Sequence, residues 1–165
     1  MCFAHSPGFP ELVHIIDRYA VPHQMFIFGG LNSLWNGKAT CNSLCIDVSD
    51  RDAKWMELSA MPRRRIRGSA ATIRDDCIVV TGGVNNESGC LSVVDCYSIA
   101  TCEWSTFTFL PEGRLRHTAV VCNDRVYVMG GYTGGGSSCM VYDETSCKWK
   151  TFAPMVSVRY SHTAI

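Results

Sequence analysis

Long apolar runs are missing from this sequence. Leu12-Val13-His14-Ile15-Ile16 is the only apolar cluster near the amino end, too short and too poorly flanked for a signal peptide or a membrane span. The chain therefore reads as intracellular, with a cytoplasmic location expected and no membrane partner. An excess of charge is missing too: Lys plus Arg and Asp plus Glu both total 15, so no charge-driven partner is implied. The one dense basic run, Arg63-Arg64-Arg65-Ile66-Arg67, is narrower than the surface a phosphate backbone requires, and no nucleic acid is expected. No Cys-x-x-Cys pair occurs, and His5, His14, His23, His117 and His162 show no ligand spacing, which leaves no metal site to expect. Gly-x-Ser-x-Gly, paired carboxylates at helical spacing and a Cys-His pair with a third member are all absent. Neither catalytic residues nor a cofactor is expected, and the chain reads as a non-enzyme. Helical periodicity is lacking as well; Pro10 to Tyr19 holds at most one short turn.

What is present is a repeat. Three β-rich runs end in a Gly pair, at Gly29-Gly30, Gly82-Gly83 and Gly130-Gly131, and each is followed by a tryptophan, Trp55, Trp104 and Trp149. The first glycines are 53 and 48 residues apart (29 to 82, 82 to 130), and the tryptophans 49 and 45 apart (55 to 104, 104 to 149), so two unrelated markers keep one period. Cysteine follows it as well. Counting back from each Trp, Cys102 and Cys147 share one position, Cys45 and Cys139 a second, Cys41 and Cys90 a third. Recurrence at equivalent strand positions favours reduced thiols packed as small apolar side chains over reactive sensor thiols or disulfides.

Within one period the strands can be read directly. Thr118-Ala119-Val120-Val121-Cys122, the turn Asn123-Asp124, and Arg125 to Met129 form a β-hairpin. Ser69 to Ile73 and Cys77 to Thr81 copy it, with Asp75-Asp76 in the turn. A polar loop follows each Gly pair, then a third strand, Leu91 to Tyr97 or Ser138 to Tyr142. Seven residues beyond Tyr97 and Tyr142 stands the Trp that opens a fourth strand, Trp104 to Leu110 or Trp149 to Phe152. Each repeat is therefore expected to be four antiparallel strands, and the protein all-β. The Gly pairs suit strand ends that need positive φ and close backbone approach, and the Trp side chains offer large apolar faces to an adjoining sheet.

These residues together carry a resemblance. Hydrophobic strand, Gly-Gly, Tyr, Trp, then Met61-Pro62 with Arg65, Leu110-Pro111 with Arg114, and Pro154-Met155 with Arg159, resembles the kelch repeat of β-propellers. The match covers about Met25 to Ile165 and looks most like the kelch domains of kelch-like substrate receptors, which elsewhere join BTB and BACK domains and a cullin-3 ubiquitin ligase. It implies an incomplete kelch-type propeller of about three four-stranded blades with the start of a fourth. Repeats are expected at about 25–67, 68–116 and 117–158, with a partial one at 159–165, after an N-terminal segment 1–24 of no assigned structure. In the first repeat Val48 takes the aligned Tyr place and Ser49 the aligned Asp place. Three blades cannot close a ring, since propellers usually have four to eight. The chain is then a portion of a larger protein or one that must associate, with self-association through its open blade edges as an expectation.

The resemblance implies a protein-interaction module, the substrate-recognition part of a ubiquitin ligase adaptor. Cullin-3 would be engaged only through BTB and BACK domains that this chain lacks. A structural or actin-associated kelch scaffold, or a fragment of a kelch-fold enzyme, is the alternative. Arg67 and Arg116, each two residues after Arg65 or Arg114, hold a place where such receptors often bind acidic peptide segments, and guanidinium suits a bidentate carboxylate bond. Bridging neighbouring blades, or simply facing water, is the competing role for both. Trp35, in the loop after the first Gly pair, is a candidate interaction anchor, with packing onto the next blade the equal alternative. His117 and His162 share a strand-start position and read as structural residues rather than bases.

Overall fold

The computed structural model describes residues 23–31, 38–74, 76–133 and 136–165. Those residues form strands and turns and no helix. The first sheet holds β1 (Gln24–Phe28), β2 (Ser43–Asp47) and β3 (Met56–Glu57) in that order. The second holds β4 (Ser69–Ile73), β5 (Cys77–Thr81), β8 (Val93–Ser98) and β9 (Glu103–Phe109), with a small side hairpin of β6 (Val84–Asn85) and β7 (Gly89–Cys90). The third holds β10 (Thr118–Cys122), β11 (Arg125–Met129), β12 (Cys139–Asp143) and β13 (Lys148–Phe152). All neighbours are antiparallel, and each sheet is one blade. Four strands appear in blades 2 and 3. Blade 1 shows three among the described residues, and the segment ahead of β1 lies largely outside them.

Local chemistry explains the turns. Asn123 and Asp124 both take positive φ, 49° and 56°, the left-handed pair that matches the twist of a two-residue hairpin. Asp143 accepts the Thr145 amide at 3.2 Å, Asp47 accepts the Ser49 amide at 2.9 Å, and the Ser98 hydroxyl accepts the Thr101 amide at 3.3 Å. Asp47 therefore holds the Asp place of the first repeat and Ile46 the Tyr place, because β1 pairs Gln24 with Asp47 as β5 pairs Cys77 with Ser98. Assigning Val48 and Ser49 to those places was wrong. Counting back from Trp55 fails since the turn between β2 and β3 is longer than its counterparts.

Blade 2 buries both of its faces against its neighbours, and blades 1 and 3 each bury one face against blade 2. Phe26 and Phe28 of blade 1 meet Tyr97 and Trp104 of blade 2, with Phe28 and Trp104 edge to face at 5.2 Å. The opposite face of blade 2, Ile73, Val79 and Val94, packs on Ala119, Val126, Val128 and Tyr142 of blade 3. Tyr97 and Tyr142 each lie cross-strand from their Trp, at 5.2 and 5.4 Å. A bulge between Val94 and Asp95 leaves Phe107 unpaired in the ladder, and its ring meets Tyr142 at 4.9 Å.

The Gly pairs join successive blades. A Cβ on Gly29 or Gly130 would lie 2.5 Å from the carbonyl of Arg65 or Arg159, and one on Gly82 would strike the Arg114 carbonyl in the same way. The second glycine of each pair then donates its amide to that same carbonyl, at 3.1, 2.7 and 2.9 Å for Gly30, Gly83 and Gly131. The side chains of Arg65 and Arg114 reach onward. Arg65 donates to the Val80 and Gly82 carbonyls, both at 3.1 Å, and pairs with Asp95. Arg114 donates to the Gly130 carbonyl at 2.9 Å and the Ser138 hydroxyl at 2.6 Å. Each arginine thus gives its carbonyl to one blade and its guanidinium to the next, and each is only 1% exposed.

Cysteine corrects one expectation. Cys77 and Cys96 form a disulfide between adjacent strands, with Cα atoms 6.2 Å apart. The registers Val79 with Cys96 and Cys77 with Ser98 set the pair diagonally on one face of blade 2, where a bridge can form. By strand register Cys45, opposite Phe26, is the counterpart of Cys96, opposite Val79, and not of Cys139, opposite Met129, so of the three pairs counted back from the Trp only Cys102 and Cys147 keep equivalent places. The six cysteines of those pairs are free thiols, and only Cys45 and Cys139 are buried. Cys102 and Cys147 are exposed turn residues with φ of 58° and 51°, so packing does not explain them.

Candidate functional site

Arg67 and Arg116 precede the first strands of blades 2 and 3, and the structure brings them to one groove. Both adopt left-handed backbone, φ 58° and 57°, and Ser161 at the third equivalent place has φ 52°. Such a conformation costs an L-residue on the order of 1–2 kcal/mol and needs local compensation. Here the compensation is a backbone ladder running from blade to blade. The Arg116 amide donates to the Arg67 carbonyl at 2.8 Å, and the Ser161 amide donates to the Arg116 carbonyl, also at 2.8 Å.

The ladder borders a groove of about 700 Å³ whose walls include Arg67, Ser69, Arg116, Thr118, Ser161 and His162. Arg67 is exposed and Arg116 half-buried. The Arg116 guanidinium carbon lies 5.9 Å from the centre of the Tyr132 ring, a cation–π distance, and Tyr132 meets Tyr160 edge to face at 5.6 Å. Two arginines, two exposed tyrosines and several hydroxyls therefore share one side of the chain. A carboxylate entering there would find guanidinium donors already fixed at the backbone. Trp35 lies outside the described residues.

Both histidines line the groove, and His117 is structural in its contacts. His117 is buried, its Nε2 2.7 Å from the Thr81 hydroxyl of the preceding blade. Burial pushes its pKa down from the ordinary 6.5 to about 4, with Arg114 and His162 adding to the shift. His162 occupies the equivalent place after blade 3, where Met129 stands in Thr81's position, and neither ring nitrogen has a partner among the described residues. Arg65 and Arg114 are not part of the groove. Burial lowers the pKa of both, and Asp95 opposes the effect at Arg65. Asp95 accepts from the half-exposed Arg63 at 2.6 Å as well, which extends the buried Arg65–Asp95 pair toward the surface. At the matching place in blade 3 stands Met140, so Arg114 relies on Ser138, the carbonyls and the half-exposed Glu112 at 3.3 Å.

Sequence spacing placed Arg67 and Arg116 at equivalent positions, and the groove contains both. Tyr132 and Tyr160 escaped notice. Tyr132 directly follows a Gly pair, and Tyr160 follows Arg159 and directly precedes Ser161, the third equivalent of Arg67 and Arg116, so adjacency to the repeat markers was the signal available.

Comparison with known proteins fits this architecture. Residues 16–165 match the family model described as the KLHDC2/KLHL20/DRC7 Kelch-repeats domain. The chain belongs to the kelch-repeat family. Its relatives include Kelch-like protein 36 of Mus musculus, 32% identical over 84% of this chain and 23% of that protein. They also include Kelch-like protein 26 of Danio rerio, 25% identical over 93% of this chain and 25% of that protein, and Kelch-like protein terF of Aspergillus terreus, 32% identical over 91% and 35%. The kelch chain thus spans about a quarter to a third of the length of these relatives. Among solved structures, the kelch propeller YjhT superposes with a TM-score of 0.65 at 20% identity, over 81% of this chain and 49% of that one. The kelch repeats described here therefore fold as about half of such a ring.

Proposed function

We propose that this kelch domain is a protein-interaction module that binds an acidic peptide segment along the Arg67–Arg116 groove, acting by recognition and not by catalysis. The observation that carries the reading is the backbone ladder, which fixes Arg67 and Arg116 one blade apart on a common groove, with Tyr132 under the Arg116 guanidinium. Guanidinium forks bind carboxylates bidentately, and pre-set backbone reduces the ordering cost of doing so. The likeness to kelch-like proteins supports a wider reading as the substrate-recognition part of a cytoplasmic cullin-3 ligase adaptor. Cullin-3 contact would reside in BTB and BACK segments of the assembled protein and not in these blades.

The test is fluorescence anisotropy of the full chain with a labelled peptide carrying consecutive glutamates, against the same peptide with glutamines. The glutamate peptide is expected to bind more tightly, and less so as salt rises. Arg67→Glu with Arg116→Glu should weaken binding by about 2–5 kcal/mol, roughly 30-fold or more. Equal affinity for both peptides, or unchanged binding by the double variant, would overturn the groove assignment.

A further inference from the structure

The Arg-x-Arg segments ahead of blades 2 and 3 divide their guanidinium groups between two tasks. Arg65 and Arg114 spend theirs on backbone carbonyls of the blade that follows. Arg67 and Arg116 keep theirs free: among the described residues no hydrogen bond or ion pair takes either group. Tyr132 holds the Arg116 guanidinium through its ring face, 5.9 Å from the centroid, and stacking of that kind leaves the N–H edge open.

Both free groups rise from one place. The Arg116 amide meets the Arg67 carbonyl at 2.8 Å, so the two residues are neighbouring rungs with Cα atoms roughly 5 Å apart, the spacing of hydrogen-bonded strands. Their backbones match, φ 58° and 57°, and the side chains therefore start in the same direction. The Ser69 hydroxyl borders the same groove; it accepts the Ala119 amide at 2.9 Å and keeps its own proton to donate. No Asp or Glu lines the groove among the described residues. Arg67, Ser69, Arg116 and Tyr132 belong to blades 2 and 3, whose packed junction lies wholly within the chain.

We propose that this pair of arginines is a phosphate site, and that the acidic segment taken by the groove is a peptide carrying phosphoserine or phosphothreonine. The assignment rests on the groove reading above and names the group that fills it. Two like charges held one rung apart repel each other, and a single carboxylate answers only one of them. A phosphomonoester brings roughly −1.5 to −2 charge and three acceptor oxygens on one group at neutral pH. Both guanidinium forks can close on it together, and the Ser69 hydroxyl can take the remaining oxygen. A phosphodiester, as in nucleic acid, carries a single charge and suits the pair no better than a carboxylate does. The groove of about 700 Å³ is far larger than one phosphate group, so the group arrives on a larger carrier.

Fluorescence anisotropy of the full chain tests this with three labelled peptides of one sequence, differing only in phosphoserine, glutamate or serine at the central place. The phosphoserine form is expected to bind about tenfold more tightly than the glutamate form, and the serine form most weakly. Arg67→Gln and Arg116→Gln should each erase most of that preference, because one fork is then left; circular dichroism checks that the blades stay folded. A phosphoserine form no tighter than the glutamate form overturns the phosphate site and leaves the acidic groove standing. If neither of these nor the consecutive-glutamate peptide binds, the groove reading falls as well. A preference that survives both substitutions puts the phosphate elsewhere and overturns the proposal. So does displacement by inorganic phosphate or by single-stranded RNA at the peptide's own concentration, the first because no peptide is then read and the second because the groove then takes a nucleic acid.

Discussion

At the scale of single residues, the repeated positions differ in what surrounds them, and His117 shows how far that matters. Its ring is buried between blades 2 and 3 against the Thr81 hydroxyl, so the charged form is disfavoured in the fold and its pKa sits near 4 instead of 6.5. The unfolded chain therefore binds a proton more readily. Stability contributed by this group is complete above pH 6.5 and is lost as pH falls toward 4, by at most about 3 kcal/mol. Urea unfolding of wild type and His117→Gln at several pH values should show a steeper fall for wild type in that window, and parallel curves would sink the assignment. Gly82 has the complementary role, since its missing Cβ is what lets the Arg114 carbonyl approach. That glycine was legible as a repeat marker, but its carbonyl partner, thirty-two residues on (82 to 114), was not, because nothing local in the sequence encodes a close approach between blades.

At the scale of elements, strands with turn chemistry of their own could be read and strands fixed by distant packing could not. Asn123-Asp124 between two β-rich runs gave the β10–β11 hairpin to the residue. The β6–β7 hairpin was missed because its strands have two residues each and include Gly89. The bulge that turns Phe107 onto Tyr142 was hidden for another reason: strict alternation in sequence says nothing of an extra residue in the ladder. The groove divides likewise, since spacing revealed the equivalence of Arg67 and Arg116 while their left-handed backbone has no sequence signal in arginine. The same physics yields a prediction for the β10–β11 turn. Asp124 holds φ 56° with a Cβ, so Asp124→Gly relieves strain of about 1–2 kcal/mol and adds unfolded-state entropy of about 0.5–1 kcal/mol. A net gain of about 0.5–1 kcal/mol is expected, read as a rise in thermal midpoint of a few degrees; a fall would mean that the Asp124 side chain contributes to the turn.

For the whole molecule, the decisive fact is that, among the described residues, blade 2 alone is covered on both faces. Its β5 and β8 lie between the Phe26–Phe28 face of blade 1 and the Val126–Val128 face of blade 3, and Val79 and Val94 have no solvent exposure. Blade 1 and blade 3 each bury one face. Opening either end exposes one junction, whereas opening the centre exposes two, so local stability should fall outward from blade 2. Amide exchange measured at concentrations below self-association should be slowest in β5 and β8, with β1, β3 and β13 faster by about two orders of magnitude. Uniform protection along the chain would refute this gradient and mean that the three blades open as one unit.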